Sequence, residues 1–404
     1  MKPMPLDAQL EALLGEPMSA IVKREQTSFE ELTAPYSESL VLFGAGGLGR
    51  KTAAGLRRVG VEPLAFADND PALWGAEIDG VPVISPRDAA QKYGRQAAFV
   101  ITIWGGAPSD VMAERRQQLL DLGCETLVTF APLFWKYADV FVPHYAFDLP
   151  HRTGAQADAI RRAFSLWADD GSRREFIAQL RWRMLADFAA LPSPVDHETY
   201  FPDDLVDVQP DEVFIDCGAY DGDTIRSLLR RGVFSDGKIV AFEPDAANFL
   251  QLRGYVDTLP ASVRERISLR QAAVGARGCK VEFDATGTAA SAVGSGGAVV
   301  DCVALDEALS DRRPTYIKMD IEGSELEAVA GAGGIIKASQ PVLAICVYHH
   351  HDHLWRIPGA LADLTDQYRF YLRPHLPEVW DLVCYAVPLR RLKSWQRLSA
   401  RSRA

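Results

Sequence analysis

Two stretches of the chain alternate between short apolar runs and polar segments with helical spacing. In the first, "LVLF" at 40–43 leads into a glycine loop, a helical segment and then "LAFADND". "FVITIW" at 99–104, a helical segment near 109–122 and "TLVTFAP" at 126–132 continue it. The second begins at Glu212. Its apolar runs are "VFIDC" (213–217), "KIVAFE" (238–243), "ISLRQAAV" (267–274), "TYIKMD" (315–320), "VLAICVY" (342–348), "YRFYLR" (368–373) and "LVCYAV" (382–387). Strands that alternate with helices argue for parallel sheets covered on both faces. Each stretch therefore predicts an α/β unit. The seven runs of the second predict a seven-stranded doubly wound sheet whose last two strands form a terminal pair.

Between them the period changes. Ile160, Phe164, Trp167, Phe176, Ile177, Leu180 and Met184 recur at helical spacing, which predicts helices bridging two domains. "LPSPVD" at 191–196 and "FPDD" at 201–204 are proline breaks before the next domain. The expected organisation is a helical lead-in and first α/β domain over 1–141, a helical linker over 142–205, a second α/β domain over 206–390 and a tail over 391–404. Residues 389–404, "LRRLKSWQRLSARSRA", hold six cations and no acid. They read as a solvated helix or frayed end, with contact to an anionic surface as the alternative. The glycine-, alanine- and serine-rich region 285–300 reads as a loop over a cleft.

Composition narrows the class. The formal net charge of −11 disfavours a nucleic-acid-binding protein, which carries a basic footprint. The six cysteines are scattered, with no CxxC pair, and read as buried free thiols. The N-terminal stretch lacks the apolar core of a signal peptide. No apolar run approaches the roughly 18 residues of a spanning helix. A cytoplasmic protein without a membrane span is the expectation. The linker helices could serve a homodimer, but the sequence does not set the oligomeric state.

The two glycine loops differ in chemistry. The first, "GAGGLG", places Gly44, Gly46 and Gly49 in the G-x-G-x-x-G spacing after a strand, with Asp68 at the end of the next strand. That is the context of a Rossmann-like dinucleotide loop, in which glycines let the backbone approach a pyrophosphate and an acid accepts ribose hydroxyls. Two readings stay open: binding of NAD(P) or a nucleotide, or a structural or assembly domain. The second loop, "VFIDCGAYDGDT", puts Asp216 ahead of Gly218 and Gly222, and the following strand ends at Glu243. An acid ahead of the glycines repels a pyrophosphate and suits a ligand with an ammonium or sulfonium cation. Glu243 can take both ribose hydroxyls through its two oxygens. This favours S-adenosyl-L-methionine over NAD.

Residues 212–388 resemble the FkbM-type family of S-adenosylmethionine-dependent methyltransferases. The resemblance rests on "FIDCGAYDGDT", "AFEPD", "VALDEAL" and above all "YIKMDIEGSELEAVAGA", with Lys318, Asp320, Glu322, Gly323 and Glu325. The N-terminal "VLFGAGGLGRK…FADNDPALWGAEIDGVPVISP" resembles Rossmann-like segments fused to such enzymes and to other surface-sugar biosynthesis proteins. The resemblance implies a class I methyltransferase sheet. Asp216, Gly218, Ala219, Tyr220 and Gly222 would line the methionine part of the cofactor and Glu243 its ribose. Asp245 and Asn248 would reach the adenosine, with Gln271 and Ala272 near the adenine. Asp320 would reach toward the transferable methyl.

The remaining chemistry gathers at the ends of two strands. Lys318 and Asp320 lie two apart on one strand and so share a face, with Glu322 in the turn beyond. They read as substrate-positioning and proton-accepting groups, or else as a structural ion-pair network. "VYHHHDHLW", Val347–Trp355, contains four of the eight histidines. The apolar strand before it must end near Tyr348, which puts His349 at the same edge as Asp320. The candidate bases, in order, are His349, Asp320 and Glu322, and His375 is a further residue for the same cleft. No metal is assigned; a divalent ion held by His349, His353 or Asp352 with Asp320, and plain capping or solvated histidines, are the alternatives. The expected function is O-methylation of a sugar, glycan precursor or secondary metabolite, as in polysaccharide biosynthesis. An NAD(P)-dependent sugar-modifying enzyme and a non-catalytic cofactor-binding scaffold are the rivals.

Overall fold

The computed structural model describes residues 4–107, 111–284, 292–293 and 297–393. Most of the basic tail and most of the 285–300 region lie outside them. The chain divides into two compact units. The first holds residues 1–157, 174–194 and 376–380, and the second holds 158–173, 195–375 and 381–404. The segment read as a linker is thus shared out between the units rather than standing apart.

In the first unit the lead-in forms the helices Leu6–Leu14 and Met18–Thr33. Six strands follow: β1 (Leu40–Phe43), β2 (Ala65–Ala67), β3 (Glu77–Ile78), β4 (Val81–Ile84), β5 (Ala98–Ile101) and β6 (Leu127–Thr129). They order as β3-β4-β2-β1-β5-β6. All neighbours are parallel except the β3–β4 pair at one edge. Every residue of β1, β2 and β5 is buried, as expected of parallel strands covered on both faces. "TLVTFAP" is only half strand: after Thr129 the helix Phe130–Lys136 begins. Trp104 packs among Phe130, Trp182 and Trp380, with ring centroids 4.9–5.6 Å apart.

The second unit carries a seven-stranded sheet and a smaller one. Its strands are β7 (Val213–Cys217), β8 (Lys238–Phe242), β9 (Ile267–Arg270), β10 (Ala273–Val274), β11 (Cys279–Asp284), β12 (Ala292–Val293), β13 (Ala298–Val303), β14 (Tyr316–Met319), β15 (Val342–Cys346), β16 (Tyr368–Pro374) and β17 (Leu382–Pro388). The large sheet runs β16-β17-β15-β14-β7-β8-β9. Only the pairs made by β17 are antiparallel, so the terminal pair folds back with β17 between β15 and β16. The order reverses beside β7, where β14 and β8 diverge, and ligands of open α/β sheets sit at such a switch point.

The smaller sheet, β10-β13-β11-β12, departs from the sequence reading. The run "ISLRQAAV" is not one strand. The chain bends at Gln271, where the Ala272 N–H bonds back to the Arg270 carbonyl, and the second piece joins β13. Residues 298–300, read as loop, open β13. The alternation in "CKVEF" carried that signal for β11: period two marks a strand with one buried face.

Candidate active site

The carboxyl ends of β7, β8 and β14 enclose a cavity of about 360 Å³ in the second unit, a volume suited to a small ligand. The glycine loop after β7 forms one wall. Gly218 has φ +82°, and a Cβ there would lie 1.9 Å from the Asp320 carbonyl oxygen. No side chain fits, so the two strand ends close up on each other. Tyr220 follows at φ +46°, and its N–H donates to Glu243 Oε2 at 2.9 Å. The Asp245 N–H donates to Glu243 Oε1, also at 2.9 Å. Both oxygens of Glu243 are thus fixed by backbone while its carboxylate lines the cavity. Burial pushes its pKa up to about 7; the two N–H groups and Lys318 oppose this, and Asp245 adds to it.

Several residues expected on the wall have other work. Asp216 is fully buried and does not line the cavity. It stands directly opposite Lys318 in the β7–β14 register, so both side chains leave the same face, and Lys318 Nζ lies 3.2 Å from Asp216 Oδ1. Lys318 also donates to the Gly218 carbonyl at 2.5 Å and does reach the cavity. Burial opposes its charge, but Asp216, Asp320 and Asp223 outweigh that and hold its pKa above the ordinary value. Burial raises Asp216 to about 6 despite the lysine. Asp245 caps the helix Ala246–Asp257 through the N–H groups of Ala247 and Asn248. Ala219 is buried beneath the loop, Gly222 begins the helix Asp223–Arg230 against Tyr255, and Gln271 is exposed. Asn248 and Ala272–Val274 do line the cavity.

The other end of the cavity is acidic. Asp320, Glu322 and Asp381 line it together with Tyr200 and Tyr348. The Tyr200 hydroxyl donates to Asp320 Oδ2 at 2.8 Å. Tyr200 is itself held by hydroxyls of Tyr385 and Tyr316 on its backbone N–H and carbonyl. Glu322 sits at φ +53°; burial, with Asp320 and Glu325, lifts its pKa to about 7 against the pull of His349. Burial likewise lifts Asp381 to about 6. Sequence reasoning missed Tyr200, Tyr348 and Asp381 as site residues.

His349 is not on the cavity wall. It is 5% exposed and stands behind the acids, with Nε2 3.4 Å from Asp320 Oδ1 and 3.7 Å from Glu322 Oε2. Its Nδ1 bonds Glu325 Oε1 at 2.8 Å. Burial opposes its charge, but Glu325 above all, then Glu322 and Asp320, raise its pKa to about 10. A ring held protonated at neutral pH, behind the wall, is not placed to accept a proton from a ligand. The fully buried Glu325 also faces His353 at 3.2 Å. Burial disfavours its charge, yet His349 and His353 hold it well below the usual carboxylate range. His350 fills the space beside Gly323, and Asp352 pairs with Arg356 at 3.0 Å. His375 is engaged by the Tyr385 hydroxyl at 2.7 Å and does not line the cavity.

The loop of the first unit has its own cavity, lined by Gly44, Gly46, Asp68 and Arg115 among others. Gly49 serves packing: a Cβ there would lie 1.9 Å from the Gly44 carbonyl oxygen. Asp68 spends both oxygens on its own loops, accepting from the Ala45 N–H at 2.6 Å and the Asp70 N–H at 2.8 Å.

The second unit's chemistry agrees with what the chain is similar to. The model of the Methyltransferase FkbM domain matches residues 216–379. Residues 216–379 form an FkbM methyltransferase domain. The crystal structure of methyltransferase FkbM from Methylobacillus flagellatus KT is 25% identical, covers 94% of this chain and 98% of its own, and superposes with a TM-score of 0.72. Its match therefore extends across both units. The structure of precorrin-6y C5,15-methyltransferase from Geobacter metallireducens GS-15 is 16% identical over 45% of this chain and 81% of its own, with a TM-score of 0.29. No curated protein matches the chain. The FkbM domain identifies an S-adenosylmethionine-dependent methyltransferase. The family match does not reach the first glycine loop, and no helix among the described residues is long and apolar enough to cross a membrane.

Proposed function

We propose that this FkbM methyltransferase binds S-adenosyl-L-methionine in the cavity of the second unit and transfers its methyl to a hydroxyl of a small molecule. A sugar, glycan precursor or secondary metabolite is the acceptor class. The observation that carries this reading is the polarity of one cavity: Glu243, held by two backbone N–H groups, at one end, and Asp320 with Glu322 at the other. Glu243 would hold the ribose hydroxyls, the Gly218–Tyr220 loop the methionine chain, and Ala272–Val274 with Asn248 the adenine.

Methyl transfer is then an in-line displacement. The cofactor, when bound, would supply an electrophilic methyl: a lone pair of the acceptor oxygen would form the new bond to carbon while the carbon–sulfur bonding pair went to sulfur, discharging the sulfonium. The hydroxyl proton passes to a wall carboxylate, Asp320 or Glu322. The cofactor brings the reactive group, so the protein's contribution is alignment and a nearby proton acceptor. Tyr200 holds Asp320 in place through its 2.8 Å bond. Lys318 locks the loop by its bond to the Gly218 carbonyl. An acidic far end suits a polyol, whose hydroxyls donate to carboxylates. The test is calorimetry with S-adenosylhomocysteine and NAD(H), followed by transfer of labelled methyl to a panel of sugar nucleotides and glycans. Binding of S-adenosylhomocysteine and labelled ether products are expected. Binding of NAD(H) alone refutes the reading.

A further inference from the structure

Asp320 and His349 face each other at ion-pair distance but without a hydrogen bond. His349 Nε2 and Asp320 Oδ1 are both buried and both lack a hydrogen-bond partner, although only 3.4 Å separates them. The other nitrogen of the same ring shows what a formed bond looks like here: Nδ1 meets Glu325 Oε1 at 2.8 Å. A second carboxylate oxygen, Glu322 Oε2, lies 3.7 Å from Nε2. Buried polar atoms left in this state cost stability unless something sits between them.

We propose that the Asp320–His349 gap is a divalent-cation site at the acceptor end of the cavity. His349 Nε2 and Asp320 Oδ1 are the direct donors, and Glu322 closes the site. The spacing fits. Adjacent ligands around a tetrahedral ion with bonds of about 2.0–2.1 Å stand about 3.3 Å apart, and around an octahedral one with bonds of about 2.1 Å about 3.0 Å. The observed separations need to contract by only a few tenths of an ångström. Ligand atoms of Asp320, Glu325 and His349 all lie within 4.8 Å of one another. Glu325 orients the ring through Oε1, which already accepts from the Ile321 N–H and the His349 ring, while its Oε2 is turned to His353 Nδ1 at 3.2 Å. A histidine that donates through one nitrogen to a buried carboxylate and presents the other to an ion is the usual outer-sphere arrangement of such sites.

The charge balance agrees. Asp320, Glu322 and Asp381 line this end of the cavity, Lys318 pairs with Asp216, and Glu325 is balanced by His349 and His353. One imidazole and carboxylate oxygens suit Mg²⁺, Mn²⁺ or Zn²⁺. Nε2 must be free of its proton to ligate, so binding displaces that proton to solvent. Asp320 and Glu322 line the cavity, so the open positions of the ion face the acceptor, where it would polarise a hydroxyl oxygen. That catalytic consequence rests on the methyl-transfer reading above; the binding itself does not.

The test is titration of chelator-treated protein with Mn²⁺, followed by the spin resonance of free Mn²⁺, with S-adenosylhomocysteine affinity measured in parallel. One ion per chain is expected. Asp320→Asn and His349→Ala should weaken it by more than the roughly 10–100-fold that loss of an outer-sphere partner costs and leave S-adenosylhomocysteine affinity within a few-fold, while His350→Ala changes nothing. Glu322→Gln, at a part-exposed side chain, gives the same loss if His349→Ala does not fold. The proposal is overturned if neither Mn²⁺ nor Zn²⁺ binds at millimolar concentration, or if binding survives both Asp320→Asn and Glu322→Gln. Stoichiometric Mn²⁺ binding without methyl transfer to any acceptor would sink the functional reading and leave the site standing.

Discussion

Glu243 makes the cofactor reading quantitative. In the empty cavity its pKa stands near 7, but only the carboxylate can accept from both ribose hydroxyls. Cofactor binding must therefore hold the proton off, and affinity should rise with pH. With an empty-site pKa of about 7, the ionised fraction climbs from about 0.1 at pH 6 to about 0.9 at pH 8, so Kd should tighten about tenfold across that range. Lys318, Asp245 and the Tyr220 and Asp245 N–H groups face the carboxylate. Glu243→Gln supplies the reference: it keeps the shape, loses one acceptor, and should weaken binding by roughly 10–100-fold at pH 8, the worth of a hydrogen bond to a charged group. Calorimetry with S-adenosylhomocysteine on both proteins isolates the effect, because the ligand's own titration is common to them. The sign on stability follows. A carboxyl whose folded pKa is raised contributes most below its unfolded value near 4.5 and loses that contribution as pH rises through about 7. The cofactor should therefore raise Tm more at pH 8 than at pH 6. If the pH dependence of wild type equals that of Glu243→Gln, the ribose is not on Glu243.

Asp320→Asn should lower kcat by about 10²–10⁴-fold, the usual worth of a positioned base, and leave the S-adenosylhomocysteine Kd nearly unchanged; single-turnover transfer of labelled methyl measures it. Lys318→Met leaves Asp216 buried without its cation, a loss of about 3–5 kcal/mol. Urea unfolding should show a larger loss at pH 8 than at pH 5, because the unpaired aspartate can protonate in acid. Gly218→Ala forces a Cβ against the Asp320 carbonyl at a positive φ, which should cost roughly 2–5 kcal/mol, read by the same unfolding experiment, with cofactor affinity falling as well.

The large sheets were legible because parallel strands covered on both faces are continuous apolar runs, and "VLAIC" or "KIVAF" cannot be much else. The pairings that decide the site were not. Asp216 reads as a cofactor ligand until the β7–β14 register is known; once Lys318 stands opposite, the two side chains must meet. Tyr200 reaches Asp320 across 120 residues of sequence, and no local pattern encodes that. Asp245 carried a readable signal, an acid three residues ahead of Asn248 at a helix start, and it fits a cap better than a ligand. For His349 the strand end was legible but not the direction of the ring, which turns to Glu325 in the helix after β14.

The two glycine loops show why an acid at the end of the second strand is weak evidence of a ligand. In the first unit Asp68 accepts from the Ala45 N–H and, two residues on, the Asp70 N–H. In the second, Glu243 accepts from the Tyr220 N–H and the Asp245 N–H. The separation from loop donor to acid is 23 residues in both. Each loop also contains a glycine whose Cβ would lie 1.9 Å from a carbonyl oxygen. The clamp is thus a device of the fold: it fixes the turn between strand and helix whether or not anything binds there. What separates the loops is the far end of the cavity. Beyond Glu243 lie Asp320, Glu322 and Tyr200, groups able to orient an acceptor and take its proton. The first cavity has Arg115 and backbone N–H groups, which suit an anion, and among the described residues it has no candidate proton acceptor besides the acids at 68 and 70, one already bonded to two backbone N–H groups and the other to that of Ala72. Chemistry is therefore assigned to the second loop by what stands opposite it, not by the glycines the two loops share.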